Sequence, residues 1–172
     1  LLTLESHNST RCINEKFSTE EIIKIMENKV VTVYTFDNQG ESISSGSGFV
    51  VSHHNGNTFI LTNSHVIEDA KSIYIKWVDG NSDKAIIEFD AGGSADINDI
   101  ALLKVKGIEG KPVLIKKESA IVGRDVIAIG SPLDQEYSVS RGIISSIREK
   151  GTLIQTDTCL LYTSPSPRDR SI

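Results

Sequence analysis

Residues 58–89 read TFILTNSHVIEDAKSIYIKWVDGNSDKAIIEF. Ile73, Ile75 and Trp77 alternate with polar or exposed-type residues, which puts the three on one face of a strand. Asp79-Gly80-Asn81-Ser82 interrupts the run, and the β-type pattern resumes in KAIIEF. Apolar runs with a period of two, cut by tight Asn, Gly and Asp turns, predict antiparallel strands.

The same pattern extends in both directions. Upstream, VVTVYTF from Val30 leads through the turn DNQG into ESISSGSGFVVS, then through HHNGN into TFILTN. Downstream, DIALLKV and KPVLI complete a first set of about six strands. DVIAIG, YSVSRGIISSI and GTLIQTD begin a second set. The one helix expected is STEEIIKIMENK, with Ser18 as its cap, Glu21 closing a capping box, and Ile22, Ile23 and Met26 on one face. No long helix alternates with the strands, so a βαβ sheet does not fit and the fold class is all-β.

Bulk properties narrow the function. The chain has 172 residues, a formal net charge of −5 and 24% charged residues, an ordinary soluble composition with room for one domain or two small halves. Mild acidity and isolated basic spots (IKKE, SIREK) give no electrostatic footprint for a nucleic acid. Cys12 and Cys159 form neither a metal spacing nor a disulfide framework, and no metal or cofactor is expected. The sequence holds no transmembrane run, and LLTL is too short for a signal core. Since the chain begins without Met, a true N-terminus with any export signal is expected upstream. Asn8-Ser9-Thr10 matches a glycosylation sequon, a pattern too short to carry weight.

Two segments carry candidate chemistry. In LTNSHVIEDA, His65 follows a strand where the chain turns into a short helical stretch. In DINDIALLKV, Asp99 directly precedes an apolar strand. Alone, the first reads as a turn histidine and the second as a strand-edge aspartate. Together they match what a general base requires, a His with a carboxylate that fixes its tautomer and stabilises the imidazolium. SGSGFVV adds a strand entry where the backbone passes close to a neighbour.

The ordered set SGSGFVV, LTNSHVI, DIALLKV, AIGSPL and SVSRGIISSI resembles the trypsin-like serine proteases of the HtrA/Deg type, over roughly residues 28–158. The resemblance implies a chymotrypsin-like double β-barrel with the active site in the cleft between the barrels. It implies His65 as general base and Asp99 as its orienting carboxylate. The nucleophilic Ser of such proteases lies in a Gly-Asn-Ser-Gly-Gly-Pro segment on the second barrel, whose backbone amides form the oxyanion hole. Here the family pattern would place it close to Pro165, yet the last glycine of the chain is Gly151. Ser164 and Ser166 lack the glycine turn and are no substitutes, so the nucleophile is absent from this sequence.

The closing stretch from Cys159 to Asp169, CLLYTSPSPRD, is similar without a mismatch to a reading-frame translation of a transposon-end adapter used in DNA sequencing libraries. Residues 159–172 are therefore expected to be a non-native tail, with the gene cut off just before its nucleophile. The expected layout is an arm at 1–17 and a protease domain at 18–158. Within that domain a helix occupies 18–28, a complete first barrel about 29–116 and a truncated second barrel about 117–158.

The resemblance implies a serine endopeptidase acting on unfolded or damaged proteins outside the bacterial cytoplasm, in periplasm or cell envelope. It admits homotrimers and a membrane tether for the full-length protein, and the fragment itself is expected to be inactive. The competing reading is a catalytically dead homologue that binds peptides or acts as a chaperone. A plain β-barrel interaction module gives no reason for His65 and Asp99 to fall in matching motifs. Substrate specificity is not legible.

Overall fold

The computed structural model describes residues 17–92, 98–116, 119–130, 137–148 and 153–158. The expected arm with Asn8 and Cys12, and the expected tail with Cys159, Ser164, Pro165 and Ser166, lie outside the described residues, Phe17 excepted.

The chain opens with helix α1 (Thr19–Met26). Its capping box is complete: the Glu21 N–H donates to Ser18 Oγ at 3.2 Å, and the Ser18 N–H donates to Glu21 Oε2 at 2.7 Å. Strands β1 (Val30–Phe36), β2 (Ser42–His54) and β3 (Asn57–Thr62) follow, then a one-turn helix α2 (Ser64–Ile67). Strands β4 (Ser72–Lys76), β5 (Ser82–Asp90) and β6 (Ala101–Lys106) complete a closed antiparallel barrel in the order β1-β2-β3-β6-β5-β4, with β4 pairing back onto β1. Strands β7 (Asp125–Gly130), β8 (Ser138–Arg148) and β9 (Leu153–Thr156) form a separate three-stranded sheet. The fold is all-β and chymotrypsin-like, with a first barrel closed and a second sheet partial.

Alternation fills the barrel. Val31 and Val33 from β1, Ile60 from β3, Ile73 and Ile75 from β4, and Leu103 and Val105 from β6 share one buried cluster. Burying each such side chain contributes roughly 1.5–3 kcal/mol. Trp77 joins that face as expected, and its indole N–H donates to Asp83 Oδ2 at 2.7 Å. Threonines also point inward, and each has an acceptor: Thr35 Oγ1 donates to Ser44 O, Thr58 Oγ1 to Gly107 O and Thr62 Oγ1 to Ser47 O. The hydroxyls therefore carry no desolvation penalty of an unpaired buried donor.

Two details depart from the expected strands. The turn HHNGN contracts to Asn55-Gly56, both at positive φ (49° and 72°), which makes a two-residue hairpin and lets β2 run through His54. KPVLI is not a barrel strand: six strands already close the barrel, and Pro112 has no N–H for a ladder. The segment is instead pinned at single points, the Lys111 N–H donating to Asn28 O (2.7 Å) and the Val113 N–H to Val50 O (2.9 Å).

A second cluster joins the parts. Met26 and Val30 pack with Val113, and Ile22, Phe49, Ile129 and Tyr137 close around them, so α1, the barrel and β7 share one apolar seam.

Candidate active site

Three strand ends meet where β3 stops. In the ladder Thr62 of β3 pairs with Ala101 of β6, and Ala101 pairs with Asp90 of β5. The chain leaves β3 through Asn63 into α2, which carries His65, and enters β6 from a turn that carries Asp99. That turn is tight: Asn98 adopts φ 59° and the Ile100 N–H donates to Asn98 O at 2.8 Å. Asn is among the few residues that accept this backbone without much strain.

His65 and Asp99 therefore meet although they are 34 positions apart. His65 Nδ1 lies 2.6 Å from Asp99 Oδ2, and the His65 backbone N–H donates to Asp99 Oδ1 at 2.9 Å. The two contacts use both carboxylate oxygens and fix the plane of the carboxylate. The histidine side chain is 52% exposed and the aspartate 13%, so the ring faces solvent and the carboxylate lies behind it. Among the described residues no hydrogen-bond partner meets Nε2.

Burial pushes the Asp99 carboxyl up. The His65 backbone N–H, the His65 ring hydrogen bond, the His65 charge and the Ser64 backbone N–H together outweigh it, and the group ends below its ordinary value. An ionised carboxylate only accepts, so a neutral His65 carries its hydrogen on Nδ1 and presents the Nε2 lone pair to solvent. A ring so held is equipped to take a proton from a hydroxyl that comes within hydrogen-bond reach of Nε2.

The glycine stretch serves the same place. A Cβ on Gly46 would sit 2.6 and 2.9 Å from the two Val66 methyls. A Cβ on Gly48 would sit 2.9 Å from the Ile60 side chain and 3.1 Å from Leu61 O. Bare backbone at Gly46 lets β2 pass under α2, where Val66 neighbours His65, and at Gly48 it lets β2 lie close against β3.

Sequence reasoning singled out His65 and Asp99 and passed over Asn63, Ser64 and Asp90. Asn63 Nδ2 donates to Asp99 O at 2.9 Å, and Ser64 Oγ contacts Asp90 Oδ1 at 2.5 Å and Ile100 O at 3.0 Å. The available signal was the polar pair Asn-Ser lying between a core strand and the histidine. Among the described residues no cluster of three or more His, Cys, Asp or Glu could hold a metal ion. No helix there is long and apolar enough to cross a membrane.

A closed six-stranded barrel with a His–Asp couple at its rim, followed by a second antiparallel sheet, defines a trypsin-like peptidase domain. The family model described as "Trypsin-like peptidase domain" matches residues 46–167, and the chain belongs to that family. Within it the chain falls with the HtrA/Deg-type proteases. It is 39% identical over 126 residues to a Pseudomonas putida protein named "Probable periplasmic serine endoprotease DegP-like", covering 71% of this chain and 24% of that protein. A Hahella chejuensis protein of the same name is 41% identical over 108 residues, 62% of this chain and 21% of its own length. Among solved structures, the serine endoprotease from Yersinia pestis matches with a TM-score of 0.65 and 29% identity, over 78% of this chain and 46% of that one. The chain thus spans about a quarter of the length of the curated relatives it matches.

Proposed function

We propose that this chain carries the His–Asp half of a serine endopeptidase that cleaves unfolded or damaged proteins outside the bacterial cytoplasm, with His65 as general base and Asp99 as its orienting carboxylate. The supporting observation is the 2.6 Å His65–Asp99 contact with the histidine ring open to solvent. The related Pseudomonas proteins are named periplasmic serine endoproteases, which supports both the reaction and the compartment.

The reaction is acyl transfer. His65 Nε2 takes the hydroxyl proton of a serine as its oxygen bonds to the peptide carbonyl carbon. The same proton then passes to the leaving amine as the C–N bond breaks, and water repeats the sequence to free the acyl group. That serine is not among the 172 residues: nothing after Gly151 supplies a glycine turn, and the reading assigns no nucleophilic role to Ser164 or Ser166. The 172-residue polypeptide is therefore inactive, since losing the nucleophile of such a triad costs on the order of 10⁶ in turnover.

The test joins residues 1–158 to the natural continuation of the gene and follows cleavage of a reduced, alkylated protein. Cleavage by the joined chain and none by the 172-residue chain is expected, with His65→Ala abolishing it. Cleavage indifferent to His65→Ala would overturn the assignment, as would cutting by the 172-residue chain that depends on Ser164 or Ser166. A continuation without Ser in a glycine turn, in a protein that still binds peptides, would give the site to the peptide-binding reading.

A further inference from the structure

Helix α2 has one turn and no side-chain hydrogen bond at its N-cap. The Asn63 side chain, which could have capped it, donates to the Asp99 carbonyl instead. A four-residue helix without a cap has little intrinsic hold on its own direction. What aims His65 must therefore come from outside the helix.

Ser64 is buried at 5% exposure, immediately before His65. Its hydroxyl has one hydrogen and two acceptors, Asp90 Oδ1 at 2.5 Å and Ile100 O at 3.0 Å. The first acceptor is a carboxylate oxygen, which makes that contact a charge-assisted hydrogen bond. Asp90 is the last residue of β5, and its Oδ1 also accepts the Gly92 N–H at 2.9 Å, which fixes the carboxylate against its own strand end. The bond therefore reaches across the end of β6, the strand that separates β3 from β5. Ile100, the second acceptor, directly follows Asp99. One hydroxyl thus ties the residue before the base to the residue after its carboxylate and to a fixed charge on the neighbouring strand.

We propose that Ser64 and Asp90 are a positioning pair for the His65–Asp99 couple: neither meets substrate, and both hold the imidazole where Asp99 keeps its hydrogen on Nδ1. The inference rests on the reading of His65 as the base, and it adds two residues outside the His, Asp and Ser that carry out the reaction. It differs from a purely structural role in what it predicts. Loss of the tie changes the tautomer of His65 as well as the stability of the fold.

The test uses the 172-residue chain and needs no catalysis. The ¹⁵N shifts of the two His65 ring nitrogens, measured with the ring neutral, report which one carries hydrogen, and urea unfolding is run in parallel. In the parent chain the Nδ1–H tautomer is expected to dominate. Ser64→Ala and Asp90→Ala should each lose that dominance in favour of the mixed tautomers of a free imidazole. For the tautomer, the double variant should be no worse than the more affected single variant, because the Ser64–Asp90 bond is lost in both. Asp90→Asn keeps an oxygen acceptor and should retain the parent tautomer. Asp90 is exposed, so its variants are expected to fold even if Ser64→Ala does not. Nδ1–H dominance in the parent with the same dominance in Asp90→Ala would overturn the positioning pair alone, whatever the stability loss. Nε2–H dominance in the parent would overturn the His65–Asp99 couple and the pair with it.

Discussion

The Tyr137 hydroxyl donates to the carbonyl of Ile23 across 3.2 Å, joining residues 114 positions apart. Tyr137 leads into β8 and Ile23 lies in α1, so the bond fastens the second sheet to the helix that starts the fold. Around it Met26, Val113 and Ile129 close the apolar seam. Tyr137 adopts φ 55°, a backbone an aromatic residue enters only when its surroundings hold it there. The bond and the seam together link the second sheet to α1 and the barrel.

Tyr137→Phe is expected to destabilise the chain by about 0.5–1.5 kcal/mol, the net worth of one hydrogen bond. The tyrosine also supplies a spectroscopic mark. Burial first, and the Glu27 charge second, push its hydroxyl from 10.0 up to about 12. Because the folded value is raised, the stabilising effect is complete below the unfolded value and fades as pH rises through the folded one. Absorbance titration of tyrosinate should therefore show a late step near pH 12 that Tyr137→Phe removes. A variant that keeps the late step would assign it to another tyrosine.

Gly46→Ala should destabilise the barrel by about 1–3 kcal/mol through overpacking. The new Cβ would meet both methyls of Val66 at under 3 Å, and Val66 is buried and stiff at χ1. Adding Val66→Ala removes those methyls, so the double variant should lose less than the sum of the single losses in urea unfolding. Additive losses would mean that the backbone, not Val66, takes up the strain.

Much of this was legible in the sequence, for reasons that particular residues make clear. Ile73, Ile75 and Trp77 alternate because one face of β4 is buried, and the Asn55-Gly56 pair and Gly80 mark turns because they accept left-handed backbone. KPVLI misled because an apolar run reads the same whether it enters a ladder or is pinned at single points, as Val113 is. His65 and Asp99 stood out through their motifs. Ser64, Asp90 and Tyr137 did not, because each acts through a partner 26 to 114 positions away that only the folded chain supplies.

The second sheet should be the adhesive part of the chain. Leu153 and Ile154 in β9 are 49% and 41% exposed, and among the described residues β9 pairs with β8 alone. Exposed apolar side chains on an unpaired edge favour strand addition by another copy. Ile154→Lys is expected to reduce concentration-dependent association in light scattering while leaving the barrel's unfolding free energy within about 0.5 kcal/mol, as for ordinary surface changes. Unchanged association would move the sticky surface elsewhere.

Asp99 makes the sharpest prediction, because it joins stability to chemistry. Its carboxyl is held below its ordinary value, so its contribution to stability is present above the unfolded value near 3.8 and is lost as pH falls through the folded one. Asp99→Asn should therefore flatten the acid limb of the stability profile measured by urea unfolding, and a ¹³C titration should place the Asp99 midpoint below that of an exposed aspartate. In the chain joined to its natural continuation, the same substitution leaves an amide that can donate to Nδ1, which favours the tautomer with hydrogen on Nε2. That nitrogen then has no lone pair for the serine proton, and turnover should fall by roughly 10⁴. Turnover within about tenfold of the parent would remove Asp99 from the reaction and leave it a tie between two strand ends.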